Sequence, residues 1–269
     1  MVYQAAMDAY LINLARRSDR RRKMTEQLAA LGLPVRLVEA IDARQVPDAV
    51  AARKFAASGP LGPLPKGDRC CTLSHMRAWE MFLASSDAHA LILEDDVEID
   101  AGAGPLLRDP SWIPSDVGLL KIERYGPANQ RVLLDNITAV GGGRRIGRML
   151  SRHTGAAAYI LTRDTARRLL DWPLAWTLPV DHMLFNPNNS PLAASLAPHQ
   201  LTPAIARQTQ DIGGRTDIDE WRKKLRGLSW PLVKRELVRA YYDVRLVPRQ
   251  LARMALGKAE FVRVDGPVN

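Results

Sequence analysis

What most limits the fold of this chain is the order of three segments near its start. Tyr10-Leu-Ile-Asn-Leu14 is a short apolar run that ends at charge, and it reads as a buried strand. From Asp19 to Leu31 the apolar residues Met24, Leu28 and Leu31 recur at helical spacing, and Gly32 follows as a stop signal. Pro34 then opens Val35-Arg-Leu-Val38, a second strand. A strand, a helix and a strand in quick succession form a crossover unit, which lays the two strands parallel in one sheet. The chain therefore begins as an α/β sheet.

Later segments extend that pattern. Ile41 to Arg69 is rich in Pro and Gly and reads as loop. Thr72 or Ser74 can cap a helix running to about Ser85, with Leu73, Met76, Trp79 and Phe82 on a broad apolar face. Ala90–Leu93, Val117–Ile122 and Ala157–Leu161 read as strands, and Arg163–Leu170 as a helix. Gly126 to Ser151 reads as a hairpin or long loop turning at Gly141-Gly142-Gly143. Met183 to Ala206 lacks Asp, Glu, Lys and Arg, yet its Pro187, Pro191, Pro198 and Pro203 give it loop chemistry rather than that of a membrane span. Beyond Trp221 come amphipathic basic helices, interrupted at Pro231 and Pro248.

At 269 residues the chain has room for one large domain with an appendage, given roughly 150 residues per domain. Apolar residues at 46% and charged residues at 25% exclude wholesale disorder. Cys70 and Cys71 are adjacent, so they supply neither a disulfide framework nor zinc-site spacing, and a reducing compartment is expected. The opening residues lack the basic region of a signal peptide.

Net charge is +9, and the whole excess sits between Trp221 and Lys258, where 11 Lys or Arg face Glu236 and Asp243. A neutral body with a basic tail argues against nucleic acid as the partner and for docking on something anionic. From Trp230, the residues Val233, Leu237, Val238 and Tyr241 make an apolar stripe beside Lys234, Arg235 and Arg239, the pattern of a helix lying on an anionic membrane. The same stripe could equally pack on the body of the protein.

The sharpest chemical feature is Leu91-Ile-Leu-Glu-Asp-Asp-Val97. Carboxylates packed this closely raise one another's pKa, and a divalent cation such as Mg²⁺ or Mn²⁺ relieves the repulsion. With a strand period of two, Glu94 and Asp96 point to one side and Asp95 to the other. The alternative is a solvated acidic turn. Asn13, Arg16, Arg17, Asp19, Arg20, Arg21 and Arg22 form a second cluster, able to hold a diphosphate at a helix start or to be a solvated face. Asp181, in the apolar frame Pro179–Phe185, could act as general base or cap a helix starting near His182. His75, at a helix start, reads by itself as structural.

Six stretches in register, from Tyr10 to Ile218, resemble glycosyltransferase family 25. Leu11–Arg20 resembles its opening I-N-L strand and R-x-x-D-R. Glu39–Asp42 resembles its A-x-D-G, with Ala43 in place of Gly. Cys71–Trp79 resembles G-C-x-L-S-H-x-x-x-W, with Cys70 where Gly is usual. Leu91–Val97 carries its L-E-D-D, and Gly155–Leu161 and Pro179–Asp181 resemble its later segments.

The resemblance implies a GT-A-like α/β/α sandwich with a mostly parallel sheet over residues 1–220; the charge and stripe beyond it mark residues 221–269 as a basic helical tail. It implies inverting transfer of a hexose, typically galactose from UDP-galactose, to a saccharide acceptor, and the basic tail suits a glycolipid acceptor on the cytoplasmic face of the membrane. Glu94, Asp95 and Asp96 become the site for Mn²⁺ or Mg²⁺. Asn13, Arg16, Arg20, Asp42, Ser74 and His75 fall at the sugar nucleotide. Asp181 becomes the base or a further metal-site ligand. A phosphohydrolase or nucleotidyltransferase with the same acidic triplet, and a non-catalytic adaptor docking through the tail, are the competing readings.

Overall fold

The computed structural model describes residues 7–126, 130–209 and 230–266. The strands are β1 (Ala9–Asn13), β2 (Val35–Glu39), β3 (His89–Glu94), β4 (Val97–Ile99), β5 (Leu119–Lys121), β6 (Glu123–Arg124), β7 (Arg131–Gly141), β8 (Arg144–Met149), β9 (Ala158–Thr162), β10 (His199–Thr202), β11 (Ala206–Gln208) and β12 (Ala259–Arg263). The helices are α1 (Ser18–Ala30), α2 (Asp48–Ala52), α3 (Lys66–Leu83), α4 (Gly104–Arg108), α5 (Arg163–Leu170), α6 (Val180–Phe185), α7 (Pro191–Leu196) and α8 (Trp230–Ala255).

Nine strands form the central sheet in the order β12-β7-β8-β10-β5-β9-β3-β1-β2, and β4-β11-β6 form a small second sheet. The opening crossover is present: β1 runs parallel to both β2 and β3. Elsewhere the sheet is mixed, with β5–β10 parallel and the pairs made by β7, β8 and β9 antiparallel. The hairpin explains part of this: Gly141, Gly142 and Gly143 take φ of +90°, +57° and +69° between β7 and β8, values that Gly adopts without strain.

Alternation along each strand splits the core into two layers. Ala9 and Leu11 of β1 join Leu91, Leu93, Ala158 and Ile160 under Met24 and Leu28 of α1. Tyr10 and Ile12 join Ala90, Ile92, Tyr159 and Leu161 under Met76, Trp79 and Phe82 of α3 and Leu169 of α5. Helices on both faces of one sheet give the α/β sandwich expected.

Several boundaries differ from the sequence reading. Helix α3 starts at Lys66, and Thr72 and Ser74 lie inside it, where their hydroxyls bond the Asp68 and Cys70 carbonyls at 2.9 and 2.7 Å instead of capping. Cys70 is thus helical and Ala43 has no positive φ, so the missing glycines leave no strain. The Pro-rich stretch 183–206 holds α7, which Pro191 opens after the N-cap Ser190, and β10. Pro248 lies within α8 and does not end it. After α8, β12 returns to the central sheet beside β7, so the segment after α8 belongs to that sheet and not to a separate tail. The boundary expected at residue 220, Ile218, and the tail residues 221–229 lie outside the described residues.

Candidate active site

Strand β3 ends between α1 and α3, and its last residue turns toward α3, continuing the face of Ala90 and Ile92. There the Glu94 carboxylate accepts from His75 Nε2 at 3.1 Å and from the Cys71 thiol at 3.7 Å. His75 is fully buried, and its Nδ1 lies 2.9 Å from the Tyr159 hydroxyl. That hydroxyl accepts from Trp79 Nε1 at 2.8 Å. The Glu94 carboxylate accepts, so Nε2 carries the proton given to it, and Nδ1 of the neutral ring then accepts from the Tyr159 hydroxyl. Cys71, His75 and Glu94 bring ligand-type atoms within 4.8 Å of one another. Burial, then the charges of Glu94 and Asp181, push the Cys71 thiol up, and thiol and imidazole together cradle the Glu94 carboxylate by hydrogen bonds.

Asp95 and Asp96 occupy the turn between β3 and β4. The strand alternation expected through Asp96 therefore stops at Glu94, and both aspartates reach the α1 side. Asp95 accepts from Asn13 Nδ2 at 2.7 Å and from Arg20 at 3.2 Å. Asp96 is held more loosely, 3.7 Å from Arg20 and 3.4 Å from Gln208 Nε2. Burial, then the charges of Glu94 and Asp95, push the Asp96 carboxyl up to about 7. A half-buried acid held so far above its ordinary value, with carboxylate neighbours and the Arg20 guanidinium facing it, is a donor set suited to a hard divalent cation such as Mg²⁺ or Mn²⁺.

A cavity of about 300 Å³ opens beside this turn, lined by Arg17, Asp19, Arg20, Arg22 and Lys23 of the α1 start and by Asp95, Asp96, Val97 and Thr209. Arg17 donates to Asp19 through Nε and Nη2 at 3.2 and 3.1 Å. The Asn13 side chain bonds the Arg17 carbonyl at 3.0 Å, tying β1 to the helix start, while its buried Oδ1 has no partner among the described residues. Cations on one wall and carboxylates on the other can hold a diphosphate together with its counter-ion.

The remaining residues expected at the nucleotide sit around this core. Arg16 and Asp42 are bonded to each other at 2.9 Å. Ser74 is buried and accepts from the Ile41 N–H at 2.9 Å, which fixes the loop carrying Asp42. Neither Ser74 nor His75 lines the cavity. The Ser74 hydroxyl and both His75 ring nitrogens are engaged in the interior.

Asp181 lies in the first turn of α6, preceded by the N-cap Pro179. Its carboxylate accepts from the backbone N–H of His182 at 2.8 Å and of Gly155 at 3.3 Å. The Gly155 carbonyl in turn accepts from Lys121 Nζ at 2.5 Å, and Lys121 is paired with Glu123 at 2.6 Å, both side chains fully buried. Gly155 has φ of +89°, and a Cβ there would meet the Tyr125 ring at 2.7 Å, so this link requires glycine. Asp181 and Glu94 both act on the charges of Lys121 and Cys71, which puts the two carboxylates in one neighbourhood.

Lys121, Glu123 and Tyr159 escaped the sequence reading. A Lys and a Glu two apart on an apolar strand share a face, and that spacing was a usable signal. Nothing local distinguishes Tyr159 from a core tyrosine.

With this geometry in view, comparison with known proteins gives consistent matches. A sequence model described as "Glycosyltransferase family 25 (LPS biosynthesis protein)" matches residues 6–184, more than half of the chain. A Neisseria gonorrhoeae protein named Lacto-N-neotetraose biosynthesis glycosyltransferase LgtB is 26% identical over 218 residues, 75% of this chain and 74% of its own. Lipooligosaccharide biosynthesis protein lic2B of Haemophilus influenzae is 23% identical over 229 residues, 80% of this chain and 83% of its own. An Aedes aegypti protein named Glycosyltransferase 25 family member is 35% identical over 199 residues, covering 67% of this chain and 32% of its own, so the chain spans about a third of that protein's length.

Proposed function

This chain belongs to glycosyltransferase family 25, and from that premise we propose that it moves galactose from UDP-galactose onto a saccharide acceptor of lipopolysaccharide or a related surface glycan, by a metal-dependent inverting reaction. The printed names of the LgtB and lic2B relatives support the surface-glycan assignment. The observation that carries the reading is the turn Asp95–Asp96 facing the basic start of α1 across one cavity.

In this reading Arg20, with Arg17, Arg22 and Lys23, binds the donor diphosphate, and Asn13 holds the helix start and Asp95 in place. A divalent cation held by Asp96, with Asp95 and Glu94 beside it, would supply charge neutralisation of the diphosphate leaving group. His75 and Cys71 aim Glu94. Asp181, oriented by two backbone N–H groups, takes the proton of the acceptor hydroxyl as its oxygen bonds the anomeric carbon and UDP leaves from the opposite face. One displacement inverts the anomeric configuration. A glycolipid acceptor on the cytoplasmic face of the membrane is consistent with the reading, and no helix among the described residues is long and apolar enough to cross a membrane.

The test is incubation of the protein with Mn²⁺, a panel of sugar nucleotides and lipooligosaccharide-type acceptors, followed by mass spectrometry and NMR of the product. The expected result is a gain of one hexose with release of UDP, fastest with UDP-galactose, and an inverted anomeric centre. No transfer from any sugar nucleotide, or a product of retained configuration, would overturn the reading.

A further inference from the structure

Helix α8 is turned the opposite way from an ordinary surface helix. Asp243, Gln250 and Arg253 face the protein. Asp243 accepts from Asn188 Nδ2 at 2.7 Å and lies 3.8 Å from Arg152, Gln250 donates to the Leu150 carbonyl at 2.7 Å, and Arg253 reaches the buried Asp135 at 2.6 Å. Leu237, Tyr241, Val244 and Leu251 follow one another at steps of four, three and seven residues, so they share a face. That face looks outward: the four are 62%, 65%, 65% and 57% exposed. Arg245 and Arg249, both exposed, run along its flank.

We propose that α8 docks this protein on an anionic lipid bilayer, lying in the interface plane with the Leu237–Tyr241–Val244–Leu251 stripe among the acyl chains. Exposed apolar surface of this kind marks an interaction site. The charge selects the occupant. Between Trp221 and Lys258 the chain carries 11 Lys or Arg against two acids, and a basic flank on an apolar stripe complements acidic headgroups. A second copy would bring the same basic flank against itself, which opposes self-association through this face. The helix is not apolar enough to cross the bilayer, so it lies on the surface. It sits over the β12–β7–β8 edge of the sheet, through Asp135 and Leu150, at the far end from β1 and the cavity beside α1. Docking therefore leaves the donor cavity open. The inference is independent of the transfer chemistry.

The experiment is co-sedimentation of the full chain with phosphatidylcholine vesicles, with and without phosphatidylglycerol, in the absence of donor and acceptor. Two variants are compared: Arg245→Gln with Arg249→Gln, and Leu237→Gln with Tyr241→Gln and Leu251→Gln. All five positions are exposed, so circular dichroism and melting temperature should stay as in the wild type. Expected are binding to the anionic vesicles alone that weakens with salt, a roughly 30-fold weaker partition for the arginine pair (about 2 kcal/mol), and loss of binding in the apolar triple. No binding by the wild type, or undiminished binding by the triple variant, overturns the proposal. So does a wild-type dimer by light scattering that the triple variant abolishes, since a second copy would then cover the stripe. Because no sugar nucleotide is present, failure here leaves the transfer reading as it stands.

Discussion

Asp96 is the carboxylate with the weakest support in the site. Asp95 has Asn13 and Arg20 within hydrogen-bond reach and Glu94 has His75 and Cys71, whereas among the described residues the Asp96 side chain keeps two long contacts. Its carboxyl is raised from 3.8 to about 7, so the folded state holds a proton more tightly than the unfolded chain. The stabilisation is complete below the unfolded value and is lost as pH rises through about 7. Without metal, the melting temperature of the wild type relative to Asp96→Asn should therefore fall between pH about 4 and about 8. Added Mn²⁺ should stabilise the wild type more at the alkaline end. A pH-independent difference between the two proteins would remove this account of Asp96. At the same scale, Tyr159→Phe deletes the hydroxyl that Trp79 and His75 share. It should destabilise the protein by about 1–3 kcal/mol through buried unpaired groups and weaken Mn²⁺ binding by releasing Glu94, measured by melting and by metal titration. Loss of stability with unchanged metal affinity would limit Tyr159 to packing. The acids were legible in the sequence because three carboxylates after an apolar strand are unusual. The Tyr159–His75 relay was not, since it joins residues 84 positions apart.

At the scale of elements, the site is the meeting of α1 and the β3–β4 turn. Arg20 stands between them, within reach of Asp95 and Asp96 and on the cavity wall. Arg20→Ala should weaken sugar-nucleotide binding about tenfold or more, the strength of a hydrogen bond to a charged group, and change the bound-state turnover less. Isothermal titration and steady-state kinetics separate the two, and unchanged donor affinity would return the basic cluster to a solvated face. The strand–helix–strand opening was readable because its three periods are clean. Helix α3 was read seven to nine residues short, since its N-cap is Pro65 and not Thr72 or Ser74, because its first residues follow a Pro- and Gly-rich loop and its hydroxyls mimic caps. Helix α7 and β10 were hidden by prolines that open or precede elements instead of breaking them.

At the scale of the whole molecule, the mixed sheet and the fate of the C-terminal segment depend on long-range pairing that periodicity cannot reveal. Strand β12 pairs with β7 across more than a hundred residues. Sequence showed an amphipathic basic helix but not which way it faced, because the hydrophobic stripe has the same spacing in either orientation; the ion pairs of Asp243 and Arg253 decide it. The central claim is that this fold binds a sugar nucleotide where the acidic turn faces α1. Its most direct test is titration of UDP-galactose into the wild type in Mn²⁺, the wild type in EDTA, and Asp96→Asn in Mn²⁺. The account predicts saturable binding in the first and at least roughly tenfold weaker binding in the other two. Equal affinity under all three conditions, or no binding in any, would contradict it.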